Sequence, residues 1–366
     1  MRIAFVVSEL RYTGGTRVVV EYASRLAQRG HRVSLVTSAS DGKPALPVDD
    51  AVRVLAVPAR LHRRGSLHNW RLALHLTRAV PAVDAVIATH TPTVPSVLAA
   101  ARLLRRGRAI WLCQDFPEMF TGRPVQQWIY SHGAPWFDVV LCVSTSNAAD
   151  LPRVHRPGSS NVVVVGEGLS DVAVFRPDDS SRRRPLEVLY VGDSRPRKGL
   201  ADVLGALALV RERVPGVTLV VASQEDLLPR LVADSPVPFR LVRGPDRPTL
   251  AGLYRTCAVF VSASWAESFG LPPLEAMACG APVVVTDSRG VREFVRHEAN
   301  SLVVPPRDPA ALADAIAQLL PDRALADRLG VAGVKTAAGF DWGQAVDRFE
   351  AALASTVGTG PAVVQA

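Results

Sequence analysis

The sequence predicts an α/β protein of two doubly wound halves, and three observations support this. Thirteen short apolar runs, rich in Val and Ile and lacking strict alternation, recur along the 366 residues. Such runs suit strands buried on both faces of a parallel sheet. Helix-like stretches alternate with them, as βαβ units require. One polar, proline-flanked break, FRPDDSSRRRP at 175–185, separates seven runs from six. A break of that composition reads as a linker. A chain of this length is expected to form two or three domains.

The elements follow in order. IAFVV opens the chain as a strand, and GGT then leads into a helix over VVVEYASRLAQ. HRVSLVT, VRVLAVP, DAVIATH, AIWLCQD, DVVLCVS and NVVVVGE complete the first set of strands. LEVLYVGD, VTLVVAS, FRLVRG, CAVFVSAS, APVVVTD and SLVVPP form the second. The predicted division is an N-terminal Rossmann-like domain over 1–175, a linker over 176–185 and a C-terminal Rossmann-like domain over 186–340. A final helix, DWGQAVDRFEAALAS, and a frayed tail occupy 341–366. Two halves of this kind are expected to face a cleft, a usual place for a ligand.

Composition narrows the function. Hydrophobic residues make up 48%, which suffices for ordinary cores, and no apolar run reaches the length of a membrane span. MRIAFVV enters a strand at once and lacks the long apolar region of a signal peptide, so a cytoplasmic location is expected. Cys113, Cys142, Cys257 and Cys279 form no C-x-x-C pair and read as buried, reduced thiols. The net charge is +8, yet residues 51–114 hold ten arginines and one acid, Asp84, which leaves the remainder near −1. Within that segment Arg71, His75 and Arg78 recur at helical spacing as a basic stripe, with Trp70, Ala73 and Leu74 elsewhere round the wheel. A basic amphipathic helix suits peripheral contact with an anionic membrane; a solvated face is the other reading. No nucleic-acid motif accompanies the charge, so no nucleic-acid partner is expected. Lysine is confined to Lys43, Lys198 and Lys335, which singles out Lys198.

The run AESFGLPPLEAMACGAPVVV is the most informative. Glu267 and Glu275 stand in it with seven residues between them, flanked by two predicted strands. A loop carries Glu267, Phe269 and Gly270, and a short helix is predicted from near Pro272, since proline fits a first helical turn. Glu275 is expected in that first turn, where the helix dipole favours a carboxylate. Carboxylates accept from hydroxyls and helix N-termini hold phosphates, so a ligand bearing both is implied. A nucleotide-sugar is one.

With strands, linker and this acidic pair together, the chain resembles the GT-B glycosyltransferases of family 4, which are retaining enzymes. The resemblance covers nearly the whole length. YTGGTRVVVEYASRLAQRGHRVSLVT is similar to the family's glycine loop, first helix and second strand, and THTPTVPSVLAA to its histidine loop. VGDSRPRKGL resembles the basic donor-phosphate loop, and ESFGLPPLEAMACGAPVVVTDSRGVREFV the E-x7-E signature. Three positions depart from the pattern: Asp193 where Arg is usual, Arg289-Gly290 for Gly-Gly, and Asn300-Ser301 for Asn-Gly.

The resemblance implies a nucleoside-diphosphate-sugar donor, an acceptor of unknown identity and roles for particular residues. Glu275 would bind the ribose hydroxyls. Glu267 would grip the donor sugar, beside the amides of Phe269, Gly270 and Leu271. Lys198 would neutralise the departing diphosphate, with Arg195 or Arg197 in place of the missing arginine. Gly14 and Gly15, preceding a helix, would let the backbone approach phosphates. His90, at the end of a strand, would lie beside the reacting carbon. Asp115 and Glu118 either touch the acceptor or cap the following loop. No Asp-x-Asp motif occurs in a fitting loop, so neither metal nor other cofactor is expected. The final helix is expected to return to the N-terminal domain. An epimerase or phosphorylase on the same scaffold, or a non-catalytic nucleotide-sugar-binding subunit, would carry a similar crevice. A dinucleotide dehydrogenase would need G-x-G-x-x-G after its first strand, which SELRYTGGT does not supply.

Overall fold

The computed structural model describes residues 1–11, 13–39, 46–58, 66–151, 162–225 and 228–358. Its strands are β1 (Arg2–Val6), β2 (Arg32–Ser38), β3 (Arg53–Val57), β4 (Ala85–Ala88), β5 (Arg108–Cys113), β6 (Val139–Cys142) and β7 (Val162–Val164). β8 (Glu187–Val191), β9 (Thr218–Ser223), β10 (Phe239–Arg243), β11 (Val259–Ser262), β12 (Val283–Thr286) and β13 (Leu302–Val304) follow. The helices are α1 (Gly14–Gln28), α2 (Ser66–Ala79), α3 (Val94–Leu98), α4 (Pro124–His132), α5 (Thr145–Asp150) and α6 (Leu200–Arg213). α7 (Leu228–Val232), α8 (Arg247–Thr256), α9 (Leu271–Ala278), α10 (Pro309–Leu319), α11 (Arg323–Ala337) and α12 (Trp342–Gly358) complete them. None of the described helices is long and apolar enough to cross a membrane.

Each of the thirteen apolar runs holds a strand. The strands form a seven-stranded sheet, ordered β3-β2-β1-β4-β5-β6-β7, and a six-stranded sheet, ordered β10-β9-β8-β11-β12-β13. Every pairing is parallel. Strands buried on both faces explain the unbroken Val and Ile runs: Val283, Val284 and Val285 of β12 are all fully buried. In each sheet the strand order reverses once, between β1 and β4 and between β8 and β11. At such a reversal the connections leave to opposite sides, opening a crevice at the carboxyl ends of the two strands.

The chain divides into one unit of residues 1–167 with 342–366, and a second of 168–341. This boundary differs from the predicted 175, and the expected linker is not a free connector. Leu169 and Phe175 are buried in the core of the second unit, and the Leu169 amide donates to the Phe340 carbonyl at 2.8 Å. Arg183 donates to the Gly280 carbonyl at 2.6 Å, and the Arg184 amide to that of Thr256 at 2.7 Å. Polar composition marked the segment as surface, but its arginines anchor it to backbone carbonyls.

The final helix belongs to the first unit, as expected. Trp342, Ala345, Val346, Phe349 and Leu353 form its buried stripe at helical spacing. The Phe349 ring centroid lies 4.4 Å from that of Tyr22 and 6.0 Å from that of Phe5, and Trp342 meets Tyr22 edge-on at 5.0 Å. Glu350 closes the contact, taking Arg29 at 2.9 Å and lying 2.8 Å from His31. The expected tail beyond residue 358 lies outside the described residues. Phe349→Ala is expected to destabilise the first unit by about 3–5 kcal/mol, the usual cost of deleting a buried aromatic ring. Urea unfolding followed by hydrogen exchange should show the loss in residues 1–167 and not in 168–341; an unchanged midpoint would mean that α12 adds nothing to that core.

Candidate active site

In the second unit, the loops after β8 and β11 flank the reversal in strand order. β8 and β11 pair directly, Val188 with Val259 and Tyr190 with Val261, so their carboxyl ends lie side by side. The loop after β8 runs Gly192–Arg195 into a tight turn at Pro196–Lys198, then through Gly199 into α6. Gly199 has φ +72°, and a Cβ there would sit 2.0 Å from the Ala263 carbonyl oxygen, so only glycine lets this loop lie against the end of β11. The Tyr190 hydroxyl donates to the Lys198 carbonyl at 3.1 Å, and the Trp265 amide to that of Arg197 at 2.8 Å. The two loops are thus stitched together by their backbones.

The side chains meet as well. Lys198 Nζ lies 2.5 Å from Glu267 Oε1, and Arg197 lies 3.7 Å from Oε2. Lys198 and Glu267 are both largely buried. Burial pushes the Glu267 carboxyl up, but the Lys198 and Arg197 charges and hydrogen bonds from Lys198 and Ser264 outweigh it, and its pKa is lowered. Burial lowers the Arg197 pKa against the opposing pull of Glu267.

Asp193 explains what became of the loop's remaining arginine. It accepts from the Arg195 amide at 3.0 Å and from Arg195 Nε at 2.8 Å, and a second guanidinium nitrogen pairs with its other oxygen. Arg195 is therefore held locally by the residue that replaces the family's arginine, while Arg197 faces Glu267. The Ser194 amide donates to Glu225 at 2.9 Å.

On the β11 side, α9 begins at Leu271, with Gly270 before it at φ +105°. Pro272 and Pro273 remove two amide donors from the first turn, leaving Phe269, Gly270 and Leu271 to supply N–H groups. Glu275 is the fifth residue of α9, beyond the first turn where it was expected. It is buried, and the Tyr254 hydroxyl donates to it at 3.3 Å. That carboxylate thus receives a hydrogen bond from α8.

The first unit carries a second constellation at its own strand reversal. His90 follows β4. Thr89 Oγ1 donates to the Val6 carbonyl at 2.8 Å and lies 3.0 Å from His90 Nδ1. With the hydroxyl proton so used, Nδ1–H is the donor to Thr89, and the neutral ring keeps its lone pair on Nε2. Burial lowers the His90 pKa, against a smaller upward pull from Asp115. Gly14 and Gly15 are the first two residues of α1, capped by Thr13, and do not precede the helix as expected. A Cβ on Gly15 would lie 3.2 Å from His90 Nε2, whereas one on Gly14 would meet nothing. Gly15 therefore permits a close approach to His90. Asp115 is buried and accepts from both the amide and the hydroxyl of Thr91 at 2.6 Å. It caps the His90 loop, on the neighbouring strand's connection, and so positions His90. Glu118 is exposed in the turn Pro117–Phe120.

Sequence reasoning missed Tyr190, Trp265, Asp202, Glu225 and Gln114. The Trp265 indole donates to Asp202 at 2.6 Å, and the Arg307 guanidinium lies 4.1 Å from its ring centroid. Gln114 donates to the Thr89 carbonyl at 3.2 Å. These partners lie far apart in sequence; a tryptophan next to the E-x7-E run was the one available signal. Among the described residues no three His, Cys, Asp or Glu side chains cluster as metal ligands would.

Comparison with known proteins bears on the family and the fold. Residues 185–322 match the family described as Glycosyl transferases group 1, and residues 12–172 match Glycosyltransferase Family 4. The chain is 29% identical to D-inositol 3-phosphate glycosyltransferase 1 of Catenulispora acidiphila, over 95% of its own length and 92% of the relative's. Its fold is similar to sucrose-phosphate synthase from Thermosynechococcus elongatus, with TM-score 0.83, 21% identity and coverage of 98% of this chain and 100% of that one. It is also similar to Anabaena HepE solved with UDP and glucose, with TM-score 0.78, 17% identity and coverage of 97% and 100%.

The depressed Glu267 pKa has a consequence for acid stability. Ionised Glu267 stabilises the fold above the unfolded value of 4.5, and that contribution is lost as pH falls from there through its lower folded pKa. The stability difference between wild type and Glu267→Gln should therefore be constant near neutrality and shrink below about pH 4.5. Thermal melts of both proteins across pH 3–7 check this; a difference that grew in acid would contradict the ion pair.

Proposed function

Because the chain belongs to the GT-B glycosyltransferases of family 4, we propose that it moves a sugar from a nucleoside-diphosphate-sugar to an acceptor hydroxyl with retention of anomeric configuration. The Lys198–Glu267 pair, set where strand order reverses in the second unit, carries this reading. Glu267 accepts from hydroxyls of the donor sugar, and the amides of Phe269, Gly270 and Leu271 face its diphosphate. Glu275, with Tyr254 behind it, takes the ribose hydroxyls. The relative solved with UDP and glucose supports a UDP-sugar as the first donor to test.

In the reaction the bond between the anomeric carbon and the diphosphate oxygen breaks, and its electron pair stays on that oxygen. The acceptor oxygen bonds to the same face of the carbon, and its proton passes to the departing phosphate. Negative charge grows on the diphosphate as the bond stretches. Lys198 and Arg197 stabilise that charge in a site of low water content, where fixed cations act most strongly. These side chains serve in place of a metal ion. His90, neutral and with Nε2 as acceptor, is suited to take a hydrogen bond from a hydroxyl. Gly15, lacking a side chain, leaves that nitrogen uncovered, since a Cβ there would lie 3.2 Å from it.

Lys198→Ala is expected to lower kcat by on the order of 10²–10³-fold with a UDP-sugar, as loss of one charge-stabilising donor does elsewhere. UDP should raise the melting temperature of wild type in a concentration-dependent manner. Near-wild-type turnover in the variant would remove Lys198 from the chemistry. If no nucleoside diphosphate stabilised the wild type, the donor reading would fail with it.

A further inference from the structure

The outer surface of the helices covering one face of the seven-stranded sheet combines exposed rings, exposed aliphatic side chains and arginines. Leu72 and Leu76 of α2 point into the core, but Trp70 is 71% and Leu74 48% exposed, next to Arg71, His75 and Arg78. The sequence placed these apolar residues apart from the basic stripe; the structure leaves both on the open surface. The neighbouring connection continues α3 as a wider turn over Ala99–Leu103 and exposes Leu103 to 79%. α4 and the turn after it add Val125, Trp128 and Trp136, all exposed.

These segments form one surface. Ser96 Oγ donates to the Ala73 carbonyl at 3.2 Å, joining α3 to α2, and Arg106 donates to the Arg78 carbonyl at 2.7 Å. Arg102 donates to the Trp136 carbonyl at 3.1 Å, joining the wide turn to the α4 side. The Trp128 and Trp136 centroids lie 5.5 Å apart. Residues 66–79, 94–108 and 121–137 contain no Asp or Glu, but contain Arg71, Arg78, Arg102, Arg105, Arg106, Arg108 and Arg123. Asp138 borders them and takes Arg102 and Arg108, and Glu118, exposed, adjoins them through its carbonyl, which accepts from Thr121 Oγ1 at 3.1 Å. Arg60, Arg63 and Arg64 of the basic segment lie outside the described residues.

We propose that this face docks on an anionic lipid surface. Scattered exposed leucines need no explanation, but large rings and aliphatic side chains gathered on one helical layer mark an interaction site. Tryptophan favours the interface between water and lipid, and arginine keeps its charge at the headgroups while its stem lies along apolar matter. The excess of arginine over acids on this face selects a partner of opposite charge. A second copy docking symmetrically would set this basic face against itself, at a repulsive cost. The surface lies wholly within the first unit and does not depend on the proposed sugar transfer.

Flotation of the full chain with phosphatidylcholine vesicles, with and without one-third phosphatidylglycerol, tests the proposal. Binding is expected to the anionic vesicles and to fall with added salt. Arg71→Gln with Arg78→Gln should weaken it by about 30-fold, from about fivefold per arginine at an anionic surface. Leu103→Ser with Trp128→Ser should weaken it by about tenfold or more, with circular dichroism unchanged. Equal binding to neutral vesicles, no binding to anionic ones, or unaltered binding by both variants would overturn it. So would a concentration-dependent dimer in sedimentation velocity that the Leu103→Ser, Trp128→Ser variant abolishes.

Discussion

Lys198 and Glu267 lie 69 residues apart in sequence, and their contact depends on β8 and β11 being direct neighbours. The chain reverses its strand order there, so two connections leave the sheet in opposite directions and their first residues face one another. Charges removed from water are costly, and the attraction between them offsets that cost only with good geometry. Here the geometry is fixed from behind, by Tyr190 and Trp265 bonding the backbone of the basic turn and by Gly199 lying against Ala263. Lys198 and Glu267 thus form a closed electrostatic pair. A ligand must offer each partner something in exchange: an anion for the ammonium, and hydroxyl donors for the carboxylate. A molecule with phosphates at one end and hydroxyls at the other does both, whereas a simple anion satisfies only Lys198. That exchange favours the whole donor over its fragments.

The sheets were legible because burial on both faces writes itself into the sequence as unbroken Val and Ile runs. Strand order was not legible from those runs, since β1 and β4, or β8 and β11, look no different as neighbours than any other pair. Glu267 and Lys198 were found through their loops, and their approach to one another came only with the pairing of their strands. Glu275 was placed one position too early in the helix, because Leu271, not Pro272, opens it. Asp115 looked like an acceptor contact or a cap for its own loop. It bonds Thr91, on the loop after a different strand, and nothing local signals such a partner. The boundary at 175 failed for a related reason. Phe175 begins a polar stretch in sequence, but its ring is buried beside Tyr254.

The departures from the family pattern are absorbed locally. Asp193 holds Arg195 in a carboxylate–guanidinium clasp two residues away, while Arg197 faces Glu267. Arg289 takes φ +68° and ψ −65°, with the Gly290 amide donating to the Ser288 carbonyl at 2.9 Å. That is a strained three-residue turn, usually left to glycine. It survives because the chain on both sides is pinned: the Glu267 amide donates to the Ser288 carbonyl at 2.9 Å, and the Gly290 amide to the Glu267 carbonyl at 3.1 Å. The strain lies one hydrogen bond from the proposed sugar-gripping carboxylate, so the backbone position of Glu267 is set by its neighbours and not by its own loop.

The two groups of cations in this chain are of different kinds. In the second unit's site each cation faces a carboxylate: Arg195 faces Asp193, while Arg197 and Lys198 face Glu267. Three cations face two carboxylates there, so most of that charge cancels at a distance. The first unit's helical layer holds seven arginines in segments without acids, two of which meet Asp138 at the border, so an excess of positive charge remains there. Long-range attraction of an anionic partner depends on unmatched charge, and short-range stabilisation of a leaving group depends on fixed charge close to it. The matched set therefore suits chemistry at contact distance and would contribute little to capture. The unmatched set suits capture of an extended anionic surface and contributes nothing to bond breaking. Steering and catalysis are in this way assigned to different residues, on different sheets.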